Sequence, residues 1–281
     1  MTSPWILFKN VLSRSLRVNQ IRKLDQGLRL PSLAGARSRV MLTTRHLQAR
    51  SHSINWNLQS TYEQSGSTPL VRHRLLRNTY WLLALSMIPT VLGAFVGVRT
   101  QLPLPGGLLG MIIFLAVAFG FIFAIEKTKN SGVGVAVLLG VTFFMGLMLT
   151  PILTRTLGFS NGGTLIMTAF GGTATILGVM ATVATVSKRD FSAMGKWLLA
   201  GVVVLLLASV ANIFLGISAL SIVIPVIAIA IFSAYILYDV QRIVNGGETN
   251  YITATLSIYL SVYNIFANLL ALLGIGGGSR D

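Results

Sequence analysis

The chain has no cysteine, only seven acidic residues in 281, and three histidines that all lie before residue 74. Without cysteine there are no disulfides, no thiolate nucleophile and no thiolate metal site, and nothing follows about compartment. The other shortages remove most membrane enzymes. A zinc peptidase needs an HExxH helix, which is absent. A serine–histidine dyad within the bilayer needs a membrane histidine, whereas His46, His52 and His73 precede the apolar part of the chain. An aspartyl protease needs two facing carboxylates, and a retinal pigment needs a lysine in its last helix; neither is available. Neither enzymatic activity nor a cofactor is expected.

What is abundant is apolar sequence. Hydrophobic residues make up 53% and charged residues 10%, with a mean hydropathy of +0.75, against about 25% charged residues in a soluble domain. Each bilayer crossing takes about 20 apolar residues. The stretch from Tyr80 supplies seven, at 80–98, 104–125, 131–153, 163–187, 197–217, 219–240 and 252–274, with the fifth and sixth meeting near Gly216 to Ser221. Short loops predict antiparallel packing of neighbours in sequence. Arg72, Arg74, Arg77, Lys127, Lys129, Lys188, Arg189, Lys196 and Arg242 fall on one side, against Arg99, Arg155 and Arg280 on the other. The excess of basic residues marks the cytoplasmic side. The expected fold is therefore an all-α membrane protein of seven transmembrane helices, N-terminus in and C-terminus out.

The net charge of +15 is concentrated at one end: residues 1–79 carry +11 and the remainder +4. No nucleic-acid-binding motif accompanies it, so contact with anionic lipid is the simpler reading. Residues 1–68 form a separate basic leader, expected to be disordered. Trp5 to Leu24 can form a basic amphipathic helix, as in a mitochondrial presequence or a surface anchor. A start downstream, for instance at Met41, would leave the leader out of the mature protein.

Asp239 is the only carboxylate inside a predicted span. A charge at the centre of a bilayer helix costs about 2.5–3.5 kcal/mol, which makes it a candidate for ion or proton handling. The plainer reading is an interfacial acid paired with Arg242 at i+3. The last span carries Ser257, Ser261, Asn264 and Asn268 on one face, with Asn212 of the fifth span or Asp239 as prospective partners for the amides. This makes Asp239 the mouth of a polar seam, read either as packing glue or as a hydrated path. In the fourth span Thr164, Thr168, Gly171, Thr175, Gly178, Thr182 and Thr185 form a small-residue stripe, expected to be buried against a neighbouring helix. Gly93 with Gly97 and Gly106 with Gly110 repeat the GxxxG spacing, a common and weak signal. Pro89 and Pro225 are expected kinks, and Pro151 the end of the third span.

The segments Tyr-Ile-Leu-Tyr-Asp-Val-Gln-Arg-Ile at 235–243, Gly-Gly-Glu-Thr-Asn-Tyr-Ile at 246–252 and Ser-Ile-Tyr-Leu-Ser-Val-Tyr-Asn-Ile-Phe at 257–266 resemble the Bax inhibitor-1 family, most closely its bacterial YccA branch. Leu-Leu-Arg-Asn-Thr-Tyr at 75–80, Phe-Gly-Gly-Thr-Ala at 170–174 and Val-Ala-Asn-Ile-Phe-Leu at 210–215 extend the resemblance over 72–281. It implies seven helices with the last set centrally. In some relatives it also implies a pH-sensitive calcium leak governed by two aspartates. Asp239 matches one of these; the other falls at Ser261, with Asn264 matching a family asparagine. A proton shared between two carboxylates is what tunes such a gate, so the pattern here speaks against the leak. The YccA branch implies instead a bacterial inner-membrane partner and modulator of the membrane AAA protease FtsH, offering an N-terminal tail such as residues 54–71.

Overall fold

In the computed structural model, which describes residues 69–101, 107–187 and 189–277, the chain folds into helices, and no strand occurs among the described residues. They are α1 (Pro69–Thr100), α2 (Gly107–Thr128), α3 (Gly132–Met148), α4 (Thr150–Leu157), α5 (Gly162–Val186), α6 (Met194–Leu215), α7 (Leu220–Val244) and α8 (Tyr251–Gly277). Five of them are long and apolar enough to cross a bilayer, or six if the bent pair α3–α4 counts as one crossing. The leader, Gly106, Lys188, Arg280 and Asp281 lie outside the described residues.

Helix α8 is the axis. From Tyr251 to Gly274 it has no exposed position, and it touches every other described helix except α6. Its Ile252, Ile258, Tyr259 and Ile265 join Ile236, Val240 and Ile243 of α7, Leu138 and Val141 of α3, and Leu82 and Leu83 of α1 in one core. Apart from a second, smaller core around Leu149, Leu153, Ala169 and Leu270, many large apolar side chains point outward, among them Trp81, Phe119, Phe170, Trp197 and Phe214. Such a surface suits hydrocarbon as its solvent, not water.

The third span departs from expectation. Instead of one helix ending near Pro151, α3 stops at Met148 and α4 sets off at 41° with Pro151 in its first turn. A proline lacks an N–H and clashes with the carbonyl four residues back, so it interrupts the ladder; it also suits a helix start, where no donor is needed. Pro89 and Pro225 sit inside continuous α1 and α7. Sequence neighbours pack together except α1 with α2 and α5 with α6, which make no contact. Helix α1 spends its face on α3, and α6 lies on α7.

Two glycine pairs distinguish the helix contacts. A methyl group added at Gly93 would overlap the Phe143 carbonyl oxygen, and one at Gly146 the Thr90 carbonyl oxygen, so α1 and α3 meet backbone to backbone. Gly97 is likewise closed by the Thr150 hydroxyl. The α5 stripe behaves in the opposite way and corrects the expectation of burial. Thr164, Thr168, Gly171, Thr175, Gly178, Thr182 and Thr185 are all exposed, and nothing lies within 4 Å of a Cβ at Gly171 or Gly178. The buried face of α5 is Leu165, Ala169, Thr173 and Ala184. Outward threonines are tolerable where the hydroxyl is satisfied on its own helix: Thr168 donates to Thr164 O (2.9 Å), Thr175 to Gly171 O (2.8 Å) and Thr182 to Gly178 O (2.7 Å).

Candidate functional site

The polar residues gather at one end of the bundle, around the turn from α7 to α8. Helix α7 runs to Val244, four residues beyond its predicted end, so Asp239 sits more than a turn inside it. There it is buried and accepts no hydrogen bond from any described residue. It is flanked by Ile236, Val240 and Ile243, all within the core. The expected pairing with Arg242 does not form. Arg242 instead donates from Nη2 to Glu248 Oε2 at 3.2 Å. The reason is the turn: Gly246 adopts the left-handed conformation (φ 76°), and the N–H groups of Gly247 and Glu248 fold back onto the Arg242 carbonyl (2.8 and 3.2 Å). Glycine takes that conformation at little cost, and it brings Glu248 over Arg242. Among the described residues, those two are the charged groups that act on Asp239.

The same turn binds the other connections of this end. Asn250 caps α8, its Oδ1 accepting from Ile252 N (2.9 Å) and Thr253 N (3.3 Å). Its Nδ2 donates to Lys129 O (2.8 Å) and Asn130 Oδ1 (3.0 Å) in the α2–α3 connection. Gln241, buried on α7, accepts from Phe191 N (2.6 Å) and donates to Arg189 O, which clips the α5–α6 connection in place. In that connection the Asp190 carboxylate accepts from the Ser192 hydroxyl and N–H, which holds its pKa below the usual value. Arg72, at the start of α1, donates to Val244 O at 3.1 Å. Three chain segments, the start of α1 and the α2–α3 and α5–α6 connections, are thus tied to the α7–α8 turn and the helix ends that flank it.

The predicted seam along α8 has another character. Ser261 is buried and Ser257, Asn264 and Asn268 are half-buried, but their bonds stay within α8. Ser261 donates to Ser257 O (3.3 Å), Asn264 to Leu260 O (2.8 Å) and Asn268 to Asn264 O (2.7 Å). Asn212 is not their partner, since α6 and α8 do not touch. Its Oδ1 accepts from Ile217 N (3.0 Å), closing the turn where α6 ends at left-handed Gly216. The cross-helix bonds of α8 come from residues the pattern did not mark. Tyr259 OH meets Thr90 Oγ1 (2.8 Å) and Thr142 O (3.4 Å), and Thr255 donates to Thr79 O (3.3 Å). Gln241, Glu248 and Asn250 were also unmarked as a site, although each is a polar residue in the segments that carry the family resemblance.

This arrangement has relatives. The family model described as "Inhibitor of apoptosis-promoting Bax1" matches residues 72–278. A protein of Escherichia coli K12 named "Modulator of FtsH protease YccA" is 40% identical over 212 residues, covering 75% of this chain and 94% of the relative. An uncharacterised protein of Pseudomonas aeruginosa is 37% identical over 232 residues, or 83% and 99% of the two chains. One from Neisseria meningitidis serogroup A is 34% identical over 206 residues, or 72% and 91%. The matched region includes the Asp239–Asn250 hub and the central α8, and the chain belongs to the Bax inhibitor-1 family of multi-pass membrane proteins.

Proposed function

We propose that this protein is a seven-span component of the bacterial inner membrane that binds and modulates the membrane-anchored protease FtsH. The observation that carries the reading is the 40% identity to the Escherichia coli modulator across 94% of that protein's length. A second Escherichia coli relative at the same identity is named an inner membrane protein. The test is reconstitution of purified FtsH with this chain in liposomes. Complex formation and a changed degradation rate of a membrane substrate are expected; an unchanged rate with no co-purification overturns the reading.

Seven crossings, with the hub on the cytoplasmic side, account for the hydrogen bonds at that end. The start of α1 and the α2–α3, α5–α6 and α7–α8 connections all meet there. This requires α3–α4 and α2 each to cross once. The described basic residues of that end are Arg72, Arg74, Arg77, Lys127, Lys129, Arg189, Lys196 and Arg242, against Arg99 and Arg155 at the other, and the basic side is cytoplasmic. A reporter fused after Asp281 should be active only outside the cytoplasm. Residues 1–53 are proposed to be dispensable for insertion, and the tail that the protease grips, expected at 54–71, is proposed to end before α1 begins at Pro69.

Within this reading Asp239, with Arg242, Ser261 and Asn264, steadies and gates the polar end without working as a two-acid proton switch. The position facing it in the family pattern is Ser261, which has no charge. Asp239→Asn should change ion flux through the purified protein only modestly. Ser261→Asp should create a new pH dependence by placing a like charge near Asp239. A calcium flux in pure-protein liposomes that is steeply pH-dependent near neutrality, and lost in Asp239→Asn, would put the cation leak first.

A further inference from the structure

One motif of the resemblance, Leu-Leu-Arg-Asn-Thr-Tyr at 75–80, takes no part in the hub beyond its buried side. Its outward residues line an open groove of about 540 Å³, together with Trp81, Leu82, Leu85 and Tyr251. The groove is graded along α1. Arg77 and Asn78 are exposed at its polar end and make no hydrogen bond or ion pair among the described residues. One turn on stands Trp81, 73% exposed, and a turn further Leu85, 45% exposed. Tyr251, at the start of α8, forms part of the wall.

We propose that this groove binds one anionic phospholipid, its phosphate on Arg77 and Asn78 and an acyl chain along Trp81, Leu82 and Leu85. The dimensions agree. Arg77 to Trp81 is four residues, about 6 Å of helix, and the headgroup layer of one leaflet is about 5–8 Å deep. Tryptophan and tyrosine favour that boundary, with an apolar ring facing inward and a polar atom facing water. Arginine offers a fork of donors matched to phosphate oxygens, and here nothing else in the described chain engages it. The gradient from cation to aromatic ring to aliphatic side chain follows the order of groups along a phospholipid, whereas a free anion would have no use for Leu85 or Trp81.

The test uses the delipidated full chain in detergent, titrated with dioleoyl phosphatidylglycerol, with dioleoyl phosphatidylcholine and with inorganic phosphate, and read by native mass spectrometry. One phosphatidylglycerol should bind per chain, about fivefold tighter than phosphatidylcholine, the effect of one basic residue at a membrane surface. Arg77→Gln should abolish that preference while leaving the lipid-free melting temperature unchanged. Arg189→Gln, which removes the same charge elsewhere at that end, should retain it. Leu85→Ser should weaken both lipids alike. Equal affinity for the two lipids, an intact preference in Arg77→Gln, an equal loss in Arg189→Gln, or displacement of phosphatidylglycerol by millimolar phosphate would each overturn the proposal.

Discussion

Helices α1 and α5 both carry glycines at helical spacing, and they use them in opposite ways. On α1, Gly93 and Gly97 admit the backbone of α3 and the Thr150 side chain into contact. On α5, Gly171 and Gly178 lie in a longer and more regular small-residue stripe that faces away from the bundle. The more regular pattern is thus the one without a partner among the described residues. A stripe of small residues permits close approach, but an adjacent apolar surface must still be there to approach. On α5, Leu165, Ile176 and Met180 turn inward, and the stripe shares the outward side with Met167, Phe170 and Val179.

The comparison breaks most sharply at Gly93. Gly93→Leu should push α1 from α3 and cost about 3 kcal/mol or more, above the ordinary range for overpacking, because the obstruction is main chain and has no rotamer to yield. Thermal unfolding in detergent reads this directly, and a loss below about 1 kcal/mol would mean that the contact is looser than described. On α5, the buried Leu165→Ala should cost about 2–5 kcal/mol. Its companion Gly171→Leu, on the open stripe, should change stability by less than about 0.5 kcal/mol. This reverses the order that the stripe by itself suggests. A large loss at Gly171 would show that a partner helix covers the stripe in the membrane.

Smaller effects sharpen the contrast between the hub and the α8 stripe. Gln241→Ala should leave the Phe191 N–H and Arg189 carbonyl unpaired and cost about 1–3 kcal/mol. Faster amide exchange confined to residues 189–191 is its signature. Tyr259→Phe removes the bond to Thr90 and should cost about 1 kcal/mol. Asn268→Ala should cost less than that, because its amide donates only to the Asn264 carbonyl of its own helix.

Of the segment from Asp239 to Asn250, the sequence marked Asp239 and Arg242, charges that interrupt an apolar run, and passed over Gln241, Glu248 and Asn250 as site residues. The internal wiring of the segment was not legible. Spacing placed Arg242 one turn from Asp239, but the left-handed turn at Gly246 gave Arg242 a better partner in Glu248. Periodicity likewise put Ser257, Ser261, Asn264 and Asn268 on one face. It could not tell that serine and asparagine in a helix can satisfy themselves on the preceding turn, while Tyr259, with a longer reach, makes the cross-helix bond.

The amino-acid sequence alone determined the class, the order of the apolar helices along the chain, the charge asymmetry and the family, because each depends on composition or on order along the chain; the break between α3 and α4 and the extension of α7 to Val244 it did not. A run of some twenty apolar residues must satisfy its backbone internally wherever it lies, and a helix does so. Which glycines meet, that α6 is laid on α7 and that Asn212 never reaches the α8 amides were decided only in the tertiary structure, whereas the central place of the last helix was already implied by the family resemblance. Every one of these helices is apolar on most of its faces, so hydrophobicity does not rank their contacts. Shape does, and complementarity of shape is a property of pairs of helices once they are brought together.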